Sequence, residues 1–192
     1  MHAPDITAYP LMPARVHEAC GPAAFSFATI AAAQMGTGVL WVRGRWLNGQ
    51  INPRGFDGLD PGQLILAQTS SQTDTLAVAE EALRDGALPL VVAEISAPLS
   101  LTAGRRLQLA AAAGGTTGLC LIPEGMGSNA AETRWHCAPV FDLRDSTLQC
   151  WTLIKNKSGT IGRWYVRWDA KARHVHVVSQ TGQRPGDEGA AG

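Results

Sequence analysis

The segment Cys20-Gly21-Pro22-Ala23-Ala24-Phe25-Ser26-Phe27-Ala28 raises the first chemical question in this sequence. A glycine-bearing turn that opens a helix can cradle phosphate, because its free amides and the helix dipole both favour an anion. The triphosphate version of that cradle needs Gly, four residues, then Gly-Lys-Ser/Thr. The second Gly lets the backbone wrap the phosphates, Lys meets their charge, and the hydroxyl holds Mg²⁺. Gly21 is in register, but Ser26, Phe27 and Ala28 occupy the last three positions. A phenyl ring brings no charge to a phosphate and a methyl group cannot ligate magnesium. The segment reads as the start of a buried helix, and no bound cofactor is expected.

Other groups that could do chemistry are sparse. Glu94 ends the apolar run PLVVAEI, where a magnesium-linked or water-positioning acid would sit, although a lone acid there also fits a solvated strand end. His136 adjoins Cys137, but neighbours on a strand point to opposite faces, so the two cannot form a thiol–imidazole pair. His174 and His176 share a strand face without a third ligand nearby. Cys20, Cys120, Cys137 and Cys150 are far apart with no C-x-x-C pair, so neither a zinc site nor a disulfide framework is indicated. No catalytic residue and no metal site emerge.

The elements that must position these residues alternate along the first two thirds of the chain. Gly21–Gln34 is Ala-rich with Phe25, Phe27 and Ile30, and predicts a short buried helix. VLWV (39–42), LILAQ (64–68), PLVVAEI (89–95) and TGLCLI (117–122) predict four strands apolar on both faces. Between them lie a Gly/Asn/Pro-rich loop from Gly44 to Gly62 and two helices. Asp74 is a candidate cap for the first, which places Glu80 four residues before Arg84 and ends at Gly86; Thr102 is a candidate cap for the second, closed by Gly114–Gly115. Such strands imply a parallel sheet covered on each side. After Pro123 the runs WHCAPVFDL, LQCWTLI, RWYVRWD and HVHVV leave no room for helices and predict an antiparallel meander. The fold class is α/β, mostly parallel first and antiparallel at the end. Residues 1–14 and 179–192, polar or Gly/Pro-rich, read as mobile flanks of one domain at 15–178.

Composition narrows the partner classes. With 192 residues, 45% apolar and 17% charged, the chain can hide roughly 70% of its extended surface without staples. No apolar run reaches the roughly 18 residues of a membrane helix, and MHAPDITAYP has neither a basic nor an apolar signal region, so a soluble, cytoplasmic protein is expected. The formal net charge of +0 conceals an asymmetry. Residues 1–133 carry seven basic and eleven acidic side chains, whereas 134–173 carry eight basic and three acidic, together with four of the six tryptophans. Arg134, Arg163 and Arg167 lie in that window and are candidate contacts to DNA or a partner, the tryptophans being equally well spaced to pack a sheet.

The blocks RVHEACGP (15–22), GLDPGQLILAQ (58–68), DTLAVAEEALRDGALPLVVAEI (74–95), LTAGRRLQLAAAAGGTTGLCLIP (101–123) and SNAAETRWHCAPV (128–140) resemble the ImuA family, RecA-like accessory proteins of bacterial SOS mutagenesis. The resemblance implies a RecA-type core over 15–178 and a role in translesion synthesis. Its implied partners are RecA, ImuB and an error-prone polymerase III alpha-type subunit. It also implies what is lost. RecA relatives carry a complete phosphate loop, a catalytic Glu after the next strand and a Gln where a later strand ends. Here the loop is degenerate, RGRWLNG follows VLWV, and TGLCLI runs into Pro123-Glu124, so no ATP hydrolysis is expected. WTLIKNKSG (151–159) is similar to the RecA segment whose paired lysines reach a neighbour's nucleotide, which makes Lys155, Asn156 and Lys157 candidate partner-binding residues. The loop EGMGSNAAE (124–132) lies where RecA contacts DNA but has two acids and no base. The alternatives are a SulA-like cell-division inhibitor, to be recognised by direct FtsZ binding, and a divergent RecA-like ATPase.

Overall fold

The computed structural model describes residues 6–180, apart from Thr37, Gln50, Pro53, Arg54, Asp57 and Arg144. Elements follow in the order β1 (Val16–Cys20), α1 (Ala24–Met35), β2 (Val39–Gly44), β3 (Leu64–Thr69), α2 (Gln72–Asp85), β4 (Leu90–Glu94), α3 (Leu101–Gly114) and β5 (Thr117–Leu121). Four strands close the chain: β6 (Thr133–Pro139), β7 (Gln149–Asn156), β8 (Gly162–Asp169) and β9 (His174–Gln180). They form one sheet in the order β3-β2-β4-β5-β1-β6-β7-β8-β9. It is parallel from β3 to β6 and antiparallel from β6 to β9. The expected α/β class with an antiparallel end is observed.

Each helix has a local cause. α1 is apolar nearly all round and lies in the core, with Gly36 in the left-handed conformation at its end. α2 and α3 are amphipathic and end on left-handed Gly86 and Gly115. Their caps correct the expectation: Ser71 Oγ accepts from Asp74 N and Ser100 Oγ accepts from Ala103 N, so Asp74 and Thr102 lie inside the helices they were expected to cap.

Two apolar layers flank the sheet. α1, the segment at 6–11 and Phe56 with Leu59 cover one face, burying Trp41, Trp135, Trp151, Trp164 and Trp168. α2 and α3 cover the other face, over β1, β2, β4 and β5. Three further expectations change. VHEAC is a fifth parallel strand, at the centre of the sheet, where only four were counted. β3 is an edge strand with Ile65 54% and Leu66 45% exposed, rather than covered on both faces. Residues 6–14 are no mobile lead-in, since Ile6 and Leu11 are buried and the Tyr9 ring lies 4.9 Å from that of Trp151. Residues 1–5 and the tail at 181–192 lie outside the described residues, as does Arg144 of the basic window. Among the described residues no helix is long and apolar enough to cross a membrane.

Candidate functional site

The carboxyl ends of the parallel strands are where an α/β sheet offers a ligand site. At the end of β1 the chain turns through Gly21, whose φ of +88° favours glycine. A Cβ there would stand 2.5 Å from the Cys137 carbonyl oxygen. That oxygen accepts from Ala23 N at 3.0 Å, and Gly21 O accepts from Ala24 N, so turn amides that could wrap a phosphate are spent on the protein itself. Ser26 Oγ accepts from Gln149 Nε2 at 2.6 Å. Phe27 is fully buried, its ring 4.7 Å from Trp151 and 5.6 Å from Trp135. Ala28 is likewise buried. Phe25, 43% exposed, packs with its ring 5.2 Å from that of Trp41.

The acid at the end of β4 is not a solvated strand end. Glu94 is 8% exposed; its Oε1 accepts from Trp41 Nε1 at 2.7 Å and lies 3.2 Å from Arg43 Nε. Arg43 Nε makes no aligned hydrogen bond, so the two charges meet as an ion contact within the protein. Burial raises the Glu94 carboxyl above the usual range, opposed by Trp41 and Arg43. Glu94 is thus a buried clamp between β2 and β4, joined through Oε1 to Trp41 and Arg43.

The remaining candidates divide by face. Cys137 points into the core and His136 away from it, 3.1 Å from Glu124 Oε1, as strand alternation requires. Burial pushes the thiols of Cys20, Cys120 and Cys137 up, and all four cysteines are free. The rings of His174 and His176 lie 4.7 Å apart, and among the described residues no group of three His, Cys, Asp or Glu side chains is placed to hold a metal. Arg134 is committed to the fold: its Nε donates to the buried Glu18 at 2.6 Å and its Nη2 to Ser128 O at 2.9 Å. Glu18 also accepts from Ser128 N, which folds the 123–131 loop back onto β1.

No family model and no curated protein sequence matches this chain. Among solved structures it is similar to the RadB recombinase, with a TM-score of 0.64 at 16% identity, over 87% of this chain and 92% of that one. The chain has a RecA-like fold. SulA from Pseudomonas aeruginosa matches more partially, with a TM-score of 0.48 at 21% identity over 56% of this chain and 97% of that one.

Within the RecA-like fold the lysine-bearing segment lies where β7 ends. Asn156 closes the turn, accepting from Ser158 N and donating to Thr160 O. Lys155 Nζ donates to Ala131 O, and Lys157 Nζ to Ala130 O at 2.6 Å. Burial first, then Lys157 and Arg134 nearby, lowers the Lys155 ammonium below its ordinary value. The pair is therefore braced against its own 130–131 backbone instead of extending freely. Arg163 and Arg167 lie on the exposed side of β8, Arg163 Nε donating to Thr152 Oγ1 at 3.2 Å and Arg167 pairing with Asp145. Sequence reasoning missed the buried pair Glu18–Arg134 and the buried His17, whose only signal was the polar dipeptide inside RVHEACGP.

Proposed function

We propose that this chain is a non-catalytic RecA-like accessory factor of the ImuA type, serving SOS-induced translesion DNA synthesis by binding RecA and ImuB. The observation that carries this reading is the cradle at Gly21–Ala28, where Phe27 and Ala28 are core residues and the turn amides are used internally. A protomer without a triphosphate seat, yet with Lys155 and Lys157 fixed at a hairpin end, has one half of a nucleotide-bridged interface. An ammonium carries three donors, so the single carbonyl each lysine meets leaves capacity for a neighbour's phosphates. Such a molecule would dock on the nucleotide-bearing face of a terminal RecA subunit and stop growth there, because it presents no equivalent face to the next.

The test follows RecA filament length on single-stranded DNA with purified protein added below stoichiometry. Shortened filaments are expected with the natural chain, and normal filaments with Lys155→Glu combined with Lys157→Glu. Undiminished capping by the double variant would overturn the docking mode. Micromolar binding of Mg-ATP in calorimetry would overturn the non-catalytic assignment.

A further inference from the structure

The two helices that cover one side of the sheet stop at β1. The buried cluster beneath α2 and α3 draws on β1, β2, β4 and β5 among the strands, and on none of β6–β9. On that same side no helix among the described residues covers the antiparallel wing. Strand register aligns His136, Thr152 and Arg163 in one row across β6, β7 and β8, and Ala138, Cys150 and Tyr165 in the next. Arg167 pairs across to His176. These side chains are exposed or half-buried, whereas every tryptophan of the wing faces the opposite, closed side.

This helix-free face is basic toward solvent. Arg134, Lys155 and Lys157 lie at one corner, Arg163 in the middle and Arg167 with His176 at the other side. The carboxylates on this face are Glu18 with Arg134, Glu124 with His136, Asp145 with Arg167 and Asp169 with His176, and Glu132 acts on Lys155. Glu124 and Asp169, 65% and 43% exposed, offset His136 and His176, whereas Glu18 is fully buried behind Arg134 and the Asp145 side chain is 12% exposed behind Arg167, so at those two arginines solvent meets the guanidinium more than the acid. Between Arg163 and Arg167, on the same side of β8, stands Tyr165, about 7 Å along the strand from each.

We propose that this face binds single-stranded nucleic acid, with Arg163 and Arg167 meeting phosphates and Tyr165 offering its ring to an unstacked base. Charge complementarity selects a polyanion, and the ring between the two cations selects one that carries planar groups on a charged backbone. An open sheet cannot enter a major groove as a helix does, but it is a platform on which splayed bases stack. An acidic protein segment would use the charges and leave the ring unexplained. The proposal is independent of the lysine-mediated docking above, since the contacts it assigns are Arg163, Tyr165 and Arg167, not Lys155 and Lys157, and its ligand is different.

The experiment titrates the full chain against a fluorescein-labelled oligothymidylate, longer than the roughly 4–16 nucleotides such platforms occupy, and reads anisotropy between about 50 and 200 mM salt. Affinity is expected to fall with salt. Arg163→Ala should weaken binding and reduce the salt slope by about 1. Tyr165→Leu should weaken it roughly 5- to 150-fold with the slope unchanged. Thr152→Arg, which adds a cation to the same row, should tighten binding, a gain that no folding defect can imitate. Absence of binding at the lowest salt, salt-independent binding, or affinity indifferent to all three variants would overturn the proposal. Equal competition by polyglutamate would overturn it in favour of an acidic protein partner. Filament capping by Arg163→Ala and Tyr165→Leu should stay unchanged, which separates this test from that of the docking reading.

Discussion

His17 is fully buried with both ring nitrogens engaged. Nδ1 lies 2.7 Å from Thr133 Oγ1 and Nε2 lies 2.9 Å from Met12 O. A carbonyl only accepts, so Nε2 carries the hydrogen and Nδ1 accepts from the Thr133 hydroxyl, whose oxygen in turn accepts from Trp135 Nε1 at 2.9 Å. The chain of bonds is complete only for neutral imidazole. Burial lowers the His17 pKa; the Met12 carbonyl and Glu132 oppose that shift, and Arg15 adds to it. On acidification the unfolded chain therefore takes up this proton first, near the ordinary value of about 6.5. Stability supplied by neutral His17 is whole above that value and declines as pH falls toward the lowered folded one. Urea midpoints should drop between pH 7.5 and 5.5. His17→Asn, though less stable at pH 7.5, should show a shallower drop, and parallel drops would refute the assignment. The double role of the Thr133 hydroxyl and the burial of Glu18 are not legible in the sequence. His and Glu side by side look like surface until partners 116 residues away arrive.

At the scale of elements, the apolar periodicities located most of the strands and all three helices, because each records a face that must leave water. The helix starts were misplaced by three residues at α2 and two at α3. SSQTD and SLT each offer several residues with a capping oxygen, and the one used is whichever leaves the preceding loop in extended conformation, as Ser71 does at φ −149° and ψ 162°. Ser71→Ala should cost about 1 kcal/mol in chemical denaturation, whereas Asp74→Ala, acting through the dipole of α2, should cost about 0.3–1 kcal/mol and lose its effect in high salt. The strand β1 escaped notice for the opposite reason. Its buried polar residues break the apolar signature while their ion pair and hydrogen bonds remove the penalty of burial. β3 is a strand as its apolar run predicts, but an uncovered one, since a run such as LILAQ does not say whether it stands in the middle of a sheet or at its edge.

The whole molecule depends on a segment that composition assigned to the flanks. Ile6 and Leu11 are buried beside α1, and Tyr9 donates to Gln34 while its ring meets those of Phe27, Trp135 and Trp151. Burial pushes the Tyr9 hydroxyl far above its ordinary value, as expected of a phenol sealed into a core. Leu11→Ala should cost about 2–5 kcal/mol in thermal or urea unfolding, and a negligible loss would return residues 6–14 to the status of a loose end. The sequence alone determined the alternation of strands and helices, the antiparallel finish and the placing of Ser26-Phe27-Ala28 where a phosphate loop needs Gly-Lys-Ser/Thr, because periodicity and residue type are local properties. Tertiary structure decided which strand is central, that Glu94 is held by Trp41 and Arg43 and Arg134 by Glu18, and that the basic residues of β8 face solvent while its tryptophans face the side of α1. Those outcomes depend on which distant groups meet across the sheet, and pairing over such separations leaves no mark on the local pattern.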